Sequence, residues 1–277
     1  MAGALSSKEV FAGVFSRHAE AYRDRVMGIQ DPREHRGRFH VVEALGAGPG
    51  DRVLDLACGP GTLTLPLAEA VGPAGQVVAV DLADGMLDLL RQAAPSQVEV
   101  LKMDIEELEF PDATFDAVAC GHGLQFCPNL LRALWQARRV LRDGGLFAAS
   151  LPARSHGREA ARLIEEALAG IPAPPATPDR TATIECLMDP DRARAALVAA
   201  GFREPQVLTF EEAIHYESPE DLVAKSCGWW ACAWRLEALE PAERERVARR
   251  AVEVVRARVG EGRIELQGST QVLITRR

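Results

Sequence analysis

The sequence contains no hydrophobic run that approaches the roughly 20 residues needed to span a bilayer. Its N-terminal region is charged and lacks the unbroken apolar stretch of a signal peptide. The chain has only 6 cysteines in 277 residues. None of them forms a CxxC pair, which argues against a disulfide scaffold and a structural zinc site. We therefore expect a cytoplasmic protein with no integral membrane segment and no bound metal.

Positive charge is scarce relative to negative charge. Lysine and arginine number 32 against 40 aspartates and glutamates, which gives a formal net charge of −8. A general nucleic-acid binder needs a basic surface that displaces counterions from phosphates, so the composition argues against a nucleic-acid partner. Apolar residues make up 47% and charged residues 26%, the usual mixture of a globular protein. The composition thus favours an acidic globular protein that is not a general nucleic-acid binder.

Short apolar segments alternate with helical periodicity through the first part of the chain. The pattern predicts a helix over 4–28 and strands at 52–57, 76–80, 98–102, 115–120 and 146–150. Strands that alternate with helices form a parallel sheet with helices on both faces, and right-handed crossovers make it doubly wound. The sequence therefore predicts an α/β fold with a doubly wound, Rossmann-like sheet.

Four prolines fall within the segment Ile171–Pro178. They are incompatible with a helix or a central strand, so we interpret this segment as an exposed connector. Beyond it the pattern predicts three helices, at 189–200, after Ser218 and at 241–259. It also predicts two late strands, at 207–216 and 271–275. The exposed helix 241–259 is a candidate surface for a homodimer.

The strongest local motif is VLDLACGPGT, which covers residues 53–62. An apolar strand that contains Asp55 runs into a loop of small residues, and a ligand can approach the backbone closely at Gly59 and Gly61. A P-loop requires Gly-Lys-Ser/Thr where this chain has Thr62-Leu63, and a dinucleotide fingerprint requires glycine where it has Thr64. The loop thus indicates a different nucleoside-binding site.

Acidic residues follow the next two predicted strands. Asp81 ends the second strand, where a carboxylate can accept both hydroxyls of a ribose. Asp104 and Ile105 follow the third strand, and an acid beside an apolar residue suits an adenine ring. The fourth strand ends at Cys120 and leads into the turn Gly121-His122-Gly123.

As a set, these motifs resemble the class I S-adenosylmethionine-dependent methyltransferases, in particular the small-molecule group of ubiquinone and menaquinone type. The resemblance covers residues 10–155 well and the remainder loosely. The chain departs from the family at Ala57, where glycine is usual, and Tyr22 lies where relatives have an aromatic residue that closes over the cofactor. The resemblance implies S-adenosyl-L-methionine as cofactor, S-adenosyl-L-homocysteine as product, and a cofactor site made of Tyr22, Asp55, Ala57, Cys58, Gly59, Pro60, Gly61, Asp81, Leu82, Met86, Asp104, Ile105, Cys120 and Gln125.

The predicted domain organisation follows from the same set of motifs. We expect one methyltransferase domain over 1–277, with a mostly parallel sheet and an antiparallel late strand. Its cofactor-binding core covers about 40–155 with late strands at about 189–216 and 265–277. A helical cap over the active site consists of about 1–39, 156–188 and 217–262.

His122 is the candidate catalytic base, because it follows the fourth strand and an imidazole titrates near neutrality. The alternative is a histidine that orders the turn or contacts the cofactor without accepting a proton. Gln125 would hold the methionine end of the cofactor or the acceptor. His215 is a weaker candidate for the substrate pocket, and its alternative is a satisfied pair at the edge of the sheet.

Trp229 and Trp230 are the candidate aromatic walls of the substrate pocket. Their alternative is ordinary core packing of a helix. The expected acceptor is a small organic molecule such as a quinone, a phenol or a secondary metabolite. Three other interpretations stay open at this point: an NAD-dependent oxidoreductase, a same-fold enzyme with different chemistry, and a non-catalytic partner protein with a vestigial nucleoside pocket.

Overall fold

A computed structural model describes residues 6–27, 36–153, 158–172 and 180–277. Within these residues, seven strands form a single sheet in the order β3-β2-β1-β4-β5-β7-β6. Their bounds are β1 Arg52–Leu56, β2 Gln76–Asp81, β3 Val98–Lys102, β4 Phe115–Gly121, β5 Leu141–Pro152, β6 Arg203–Tyr216 and β7 Ile264–Arg276. The first five strands pair in parallel, and β7 runs antiparallel to both β5 and β6. This confirms the predicted α/β Rossmann-like sheet with an antiparallel late strand.

Helices pack on both faces of the sheet. In chain order they are α1 Ser7–Arg17, α2 Ala19–Met27, α3 Arg36–Leu45, α4 Thr64–Val71, α5 Asp84–Ala93, α6 Leu130–Val140, α7 Arg158–Ala167, α8 Thr181–Leu187, α9 Pro190–Ala199, α10 Pro219–Cys227, α11 Trp230–Glu237 and α12 Pro241–Val259. Alternate residues of β1 face opposite layers. Val53 packs with Leu67 of α4, whereas Leu54 belongs to the cluster that contains Leu134 of α6.

The predicted N-terminal helix is divided in two. α1 ends at Arg17, and α2 begins at Ala19, because His18 leaves the helical region with φ −113° and ψ 22°. Both Arg17 and His18 bind Glu237 at the end of α11. Hydrophobic periodicity within one helix carries no information about this contact with a distant segment, so the sequence predicted one continuous helix.

The late strands are longer than predicted. β6 begins at Arg203 and β7 at Ile264, whereas the local hydrophobic pattern placed the strand starts at 207 and 271. The predicted domain limits of about 189–216 and 265–277 agree better with both strands. The two strands pair antiparallel from Arg203↔Arg276 to Tyr216↔Ile264. Pairing along this length gives the backbone its hydrogen bonds where the side-chain pattern alone is weak. In the predicted connector, residues 173–178 lie outside the described residues.

Candidate active site

The loops that follow β1, β2 and β4 meet at the carboxyl edge of the sheet. They surround a cavity of about 110 Å³, called here the Asp81 cavity. Helix α1 covers one side of it through Phe11 and Phe15. Its other lining residues are Lys8, Ala12, Tyr22, Ala57, Gly59, Asp81, Leu82, Ala83, Met86, Met103, Asp104, Ile105, Gly121, His122, Gly123, Phe126 and Cys127. The edge of the sheet predicted to bind the ligand therefore does form a cavity.

The backbone around this cavity adopts left-handed conformations. Gly59 has φ +54°, and a Cβ built there would meet no heavy atom within 4 Å among the described residues. At Gly61 a Cβ would lie 2.6 Å from Leu90 Cδ1, so this loop needs glycine to pack against α5. Ala57 and His122 adopt φ +52° and +57° although they are not glycines. Non-glycine residues in this region are uncommon and occur often at functional sites.

Asp81 is held by backbone donors. The N–H groups of Gly59 and Ala83 each donate to its carboxylate at 2.9 Å. Burial raises the pKa of Asp81 above its usual value, and these N–H groups act in the opposite direction. The carboxylate is thus fixed in orientation at the wall of the cavity, with lone pairs available to a ligand.

A second, smaller cavity adjoins the first and is called the Asp55 cavity. It is lined by Tyr22, Arg38, Asp55, Ala57, Cys58, Gly59, Pro60, Thr62, Leu63 and Gly121. Thr64 Oγ1 donates to Asp55 Oδ2 at 2.6 Å, but Asp55 Oδ1 is buried and has no hydrogen-bond partner among the described residues. Burial raises the pKa of Asp55 to about 7. A buried carboxylate oxygen of this kind can accept a hydrogen bond from a ligand or a bound water.

Arg38 supplies the opposite charge in the same cavity. Its residue exposure is only 6%, and its Nη2 donates to Tyr22 Oη at 3.4 Å. Its Nε has no partner, and no salt bridge joins it to a carboxylate in the described part of the chain. The charge of buried Glu212 acts on Arg38 without a salt bridge between them. An anion in the Asp55 cavity could pair with the guanidinium directly. Sequence reasoning missed Arg38, because nothing in its helix distinguishes it from a surface arginine.

Asp104 lies at the other end of the Asp81 cavity, together with the apolar side chain of Ile105. Lys8 Nζ of α1 donates to Asp104 Oδ2 at 2.6 Å and to Glu106 Oε2 at 2.7 Å. Asp104 Oδ1 accepts the N–H of Glu106 at 2.9 Å. The carboxylate therefore connects α1 to the loop after β3. Its predicted contact with an adenine amino group stays a prediction.

A third and larger space lies beneath helices α7, α8, α10 and α11. This Trp229 cavity has a volume of about 400 Å³. Its lining residues are Arg25, Val26, Arg38, His122, Gln125, Phe126, Pro152, Ala161, Ile164, Glu165, Leu168, Arg180, Ile184, Met188, Ile214, Tyr216, Ser226, Trp229, Trp230, Ala231, Cys232 and Arg235. His122 and Phe126 line this cavity and the Asp81 cavity as well. The two spaces therefore meet at the turn that follows β4.

His122 is fixed at this junction by several hydrogen bonds. Its N–H donates to Ser150 O at 2.9 Å, and its ring Nδ1 lies 3.0 Å from Ser150 Oγ. Its carbonyl accepts Gln125 Nε2 at 2.7 Å. β5 therefore orients the imidazole through Ser150, and Gln125 secures the backbone. The proton-accepting role of His122 stays a prediction.

Several predicted site residues lie away from the Asp81 cavity. Gln125 lines the Trp229 cavity, whereas Cys58 and Pro60 line the Asp55 cavity. Among the described residues, neither Gly61 nor Cys120 lines any of the three. Cys120 is fully buried, and this burial raises the pKa of its thiol to about 12.

Of the three candidate substrate residues, two line a cavity and one does not. Trp229 and Trp230 both line the Trp229 cavity, and Trp230 also packs edge-on against Phe11 at 4.9 Å. Both therefore line a cavity, and their contact with an acceptor stays a prediction. His215 does not belong to the described lining. Its Nε2 lies 3.0 Å from Glu265 Oε2 on the neighbouring strand, the geometry of the alternative sheet-edge pair.

Comparison with known proteins identifies the family. Residues 53–145, from β1 to the start of β5, match the model of a methyltransferase domain. Demethylmenaquinone methyltransferase of Staphylococcus aureus is 36% identical over 149 residues. Residues 53–145 therefore carry a methyltransferase domain, similar to those of the class I S-adenosylmethionine-dependent methyltransferases. This similarity is distant: the match covers 53% of this chain and 61% of the staphylococcal protein.

Solved structures show the same methyltransferase fold over the whole chain. Phosphoethanolamine N-methyltransferase 2 of Haemonchus contortus, in complex with phosphomonomethylethanolamine and S-adenosylhomocysteine, aligns with a TM-score of 0.61 and 15% identity. The alignment covers 99% of this chain and 60% of that one. The [4+2]-cyclase SpnF aligns with a TM-score of 0.57 and 18% identity, over 99% of this chain and 97% of its own. The fold by itself therefore leaves the type of reaction open.

The cofactor of this methyltransferase family fits the two smaller cavities. The end of S-adenosylmethionine that carries an amino group and a carboxylate requires an anion and a cation, and the Asp55 cavity offers both in Asp55 Oδ1 and Arg38.

In the described part of the chain, every helix is too short or too polar to span a bilayer. The same residues contain no group of three or more potential metal ligands.

Proposed function

We propose that this protein transfers a methyl group from S-adenosylmethionine to a small organic acceptor held in the Trp229 cavity. The observation that carries the proposal is the position of His122, which lines both the Asp81 cavity and the Trp229 cavity. A donor bound on one side and an acceptor on the other meet at this residue. Helices α2, α7, α8, α10 and α11 supply lining residues of this cavity and would enclose the acceptor.

The cofactor supplies an activated methyl group on a sulfonium sulfur. We infer that Asp81 accepts hydrogen bonds from the ribose hydroxyls, as its place at the end of β2 favours. Apolar Leu82, Met86 and Ile105 form the walls for the adenine ring. Asp55 and Arg38 pair with the amino and carboxylate groups. Tyr22, which lines both cavities, covers the junction between the nucleoside and the amino-acid end.

We further propose that His122 removes the proton from the acceptor. Ser150 Oγ, 3.0 Å from Nδ1, fixes the orientation of the ring, as a positioning residue does for a general base. The remaining walls contribute by excluding water, because methyl transfer discharges the sulfonium and is favoured in a dry pocket. Holding the two reactants in line contributes most of the rate, and this task needs only shape.

Calorimetric titration tests the cofactor assignment. We expect micromolar binding of S-adenosylmethionine and S-adenosylhomocysteine, no binding of NAD, and a large loss of affinity in Asp81→Ala. Binding of NAD alone would replace the proposal with a dinucleotide-dependent oxidoreductase. Binding of none of the three would favour a non-catalytic partner protein.

The reaction type requires a separate measurement, because the fold also occurs in a cyclase. We would follow a labelled methyl group from the cofactor into a panel of phenols, quinols and amines. Incorporation of the label, with release of S-adenosylhomocysteine, supports methyl transfer. Conversion of an acceptor without label would indicate different chemistry at the same site.

A further inference from the structure

Gln125 carries a hydrogen-bond acceptor that none of the described residues uses. The residue is 8% exposed, and its Oε1 has no partner among the described residues. The orientation of the amide is decided by the His122 carbonyl, 2.7 Å away, since only the NH₂ end can donate to it. Oε1 is then the end left over at the wall of the Trp229 cavity. A buried acceptor of this kind is satisfied by a donor on the ligand.

The charges around the Trp229 cavity are unbalanced. The described lining includes Arg25, Arg38, Arg180 and Arg235, and Glu165 is its only carboxylate. Glu165 is already paired with Arg235 at 2.8 Å. Among the described lining residues, Arg25 has no carboxylate partner, and its charge raises the cost of binding an ammonium group and favours an anion, more so in a partly dry cavity than in water.

Arg25 is the cation available for such an anion. Its Nη1 donates to the carbonyl of Lys225 at 2.7 Å, and its guanidinium lies 4.9 Å from the centre of the Trp229 ring. No salt bridge joins Arg25 to a carboxylate in the part of the chain that the structure describes. Arg38, by contrast, is assigned to the cofactor by its place in the Asp55 cavity.

The remaining walls select for shape. Trp229, Trp230 and Phe126 present aromatic rings, and most of the other lining side chains are aliphatic. Flat apolar surfaces of this kind suit an aromatic ligand, which stacks or packs edge-on against them.

Resting on the proposed function, we propose that the acceptor is an anionic aromatic hydroxy compound. One hydroxyl, separate from the group that His122 deprotonates, donates to Gln125 Oε1. The anionic group pairs with Arg25, and the ring packs against Trp229 and Trp230. Gln125 and Arg25 are then specificity-determining residues. A ligand that lacks the hydroxyl leaves Oε1 buried without a partner, which costs binding free energy.

Four probes of one shape test this assignment with the cofactor product bound. They are 4′-hydroxybiphenyl-4-carboxylate, biphenyl-4-carboxylate, 4-phenylphenol and 4′-hydroxybiphenyl-4-ylmethylammonium. Dissociation constants are measured by calorimetry in saturating S-adenosylhomocysteine. We expect the hydroxy-carboxylate to bind more tightly than the carboxylate without a hydroxyl, by a factor of about 10 or more. It should also bind more tightly than the neutral phenol, and the ammonium probe should bind most weakly.

Matched variants attribute each preference to its residue. Gln125→Met should reduce the hydroxyl preference to about 1-fold, whereas Gln267→Met, at an exposed glutamine of β7, should leave it unchanged. Arg25→Gln should abolish the preference for the carboxylate over the ammonium probe. Arg23→Gln removes the same charge from the same helix at a residue paired with Asp24, and should preserve that preference.

The inference would be overturned if wild-type protein bound the hydroxy-carboxylate no more tightly than the probe without a hydroxyl or the probe without a carboxylate. Tighter binding of the ammonium probe than of the hydroxy-carboxylate would also overturn it. Failure of all four probes to bind while S-adenosylhomocysteine binds would also overturn it, without affecting the cofactor assignment. Failure of S-adenosylhomocysteine itself to bind would overturn the proposed function first.

Discussion

At the residue scale, the Asp81 cavity is shaped by two residues that are not glycine and yet adopt left-handed backbone conformations, Ala57 and His122. Each follows the carboxyl end of a parallel strand, where the chain must turn sharply into a loop. A Cβ added at the neighbouring Gly123 would lie 2.5 Å from the Ala57 Cβ, so the two turns are packed directly against one another. The strain in these turns is therefore part of how the cavity is shaped.

We expect Ala57→Gly to stabilise the protein by about 1 kcal/mol, because it removes a Cβ from a left-handed residue. Urea denaturation measures the free energy of unfolding. The control is Ala119→Gly, in the middle of β4, which should destabilise the protein by a similar amount. A destabilised Ala57→Gly variant would show that the methyl group packs favourably despite its backbone conformation.

The raised pKa of Asp55, about 7, predicts a pH-dependent cofactor affinity. Below that pH the carboxyl is protonated and neutral, and above it the carboxylate can pair with an ammonium group. Affinity for S-adenosylhomocysteine should therefore rise by up to about 10-fold from pH 6 to pH 8. Asp55→Asn should bind weakly and lose this pH dependence. Calorimetric titration at both pH values checks the slope, and a parallel rise in the variant would exclude Asp55 as its source.

The same shift has the opposite consequence for folding. The folded-state pKa of Asp55 lies above its ordinary value of 3.8. The folded protein therefore binds more protons than the unfolded chain between about pH 4 and 7. Its stability should fall as pH rises through that window. Asp55→Asn should flatten this part of the stability profile in urea denaturation, and an unchanged slope would assign the dependence to other groups.

At the scale of elements, the connection between α1 and the sheet decides whether the Asp81 cavity is closed. Lys8 ties α1 to Asp104 and Glu106, and its side chain is only 22% exposed. Phe11 and Phe15 of the same helix form part of the cavity wall. Loss of the ion pair should therefore loosen a wall of the cofactor site and not merely a surface contact.

We expect Lys8→Met to weaken S-adenosylhomocysteine binding several-fold and to speed proteolytic cleavage within the N-terminal helices. Lys102→Met is the matched control, because Lys102 pairs with Asp84 and both side chains are more than half exposed. It should change neither property. Equal effects of the two variants would mean that net charge, and not the helix attachment, governs cofactor affinity.

At the scale of the whole molecule, α3 is docked on the late strands through a very close approach. A Cβ at Gly37 would lie 2.1 Å from Thr270 Cγ2 of β7, and the Gly37 N–H donates to Glu212 of β6 at 3.1 Å. Arg38 is the next residue in the chain. The antiparallel end of the sheet thereby sets the position of the Arg38 side chain, which lines the Asp55 cavity.

We expect Gly37→Ala to destabilise the protein by about 2 kcal/mol and to lower cofactor affinity, because α3 must move away from the sheet. Gly48→Ala is the control, since a Cβ there meets only Asp51 Oδ2 at 4.0 Å. Urea denaturation and calorimetric titration report the two effects. Unchanged cofactor affinity in a destabilised Gly37→Ala variant would dissociate the position of Arg38 from the docking of α3.

The sequence by itself determined the alternation of strands and helices and the edge of the sheet where the Asp81 and Asp55 cavities lie. Hydrophobic periodicity and loop composition are local properties, so Asp55, Gly59 and Asp81 could be found from their spacing alone. The break at His18 could not be found this way, nor could the full length of β6 and β7, because both depend on contacts with distant segments.

Only the tertiary structure decided which side chains face one another across the cavities. Arg38, Lys8 and Ser150 belong to separate elements and carry no local sign of a ligand site. Tertiary packing brought Ser150 to His122 and left Gln125 Oε1 without a partner in the described part of the chain. Burial and unmet hydrogen bonds are properties of the packed chain, since every polar group of the unfolded chain can bind water.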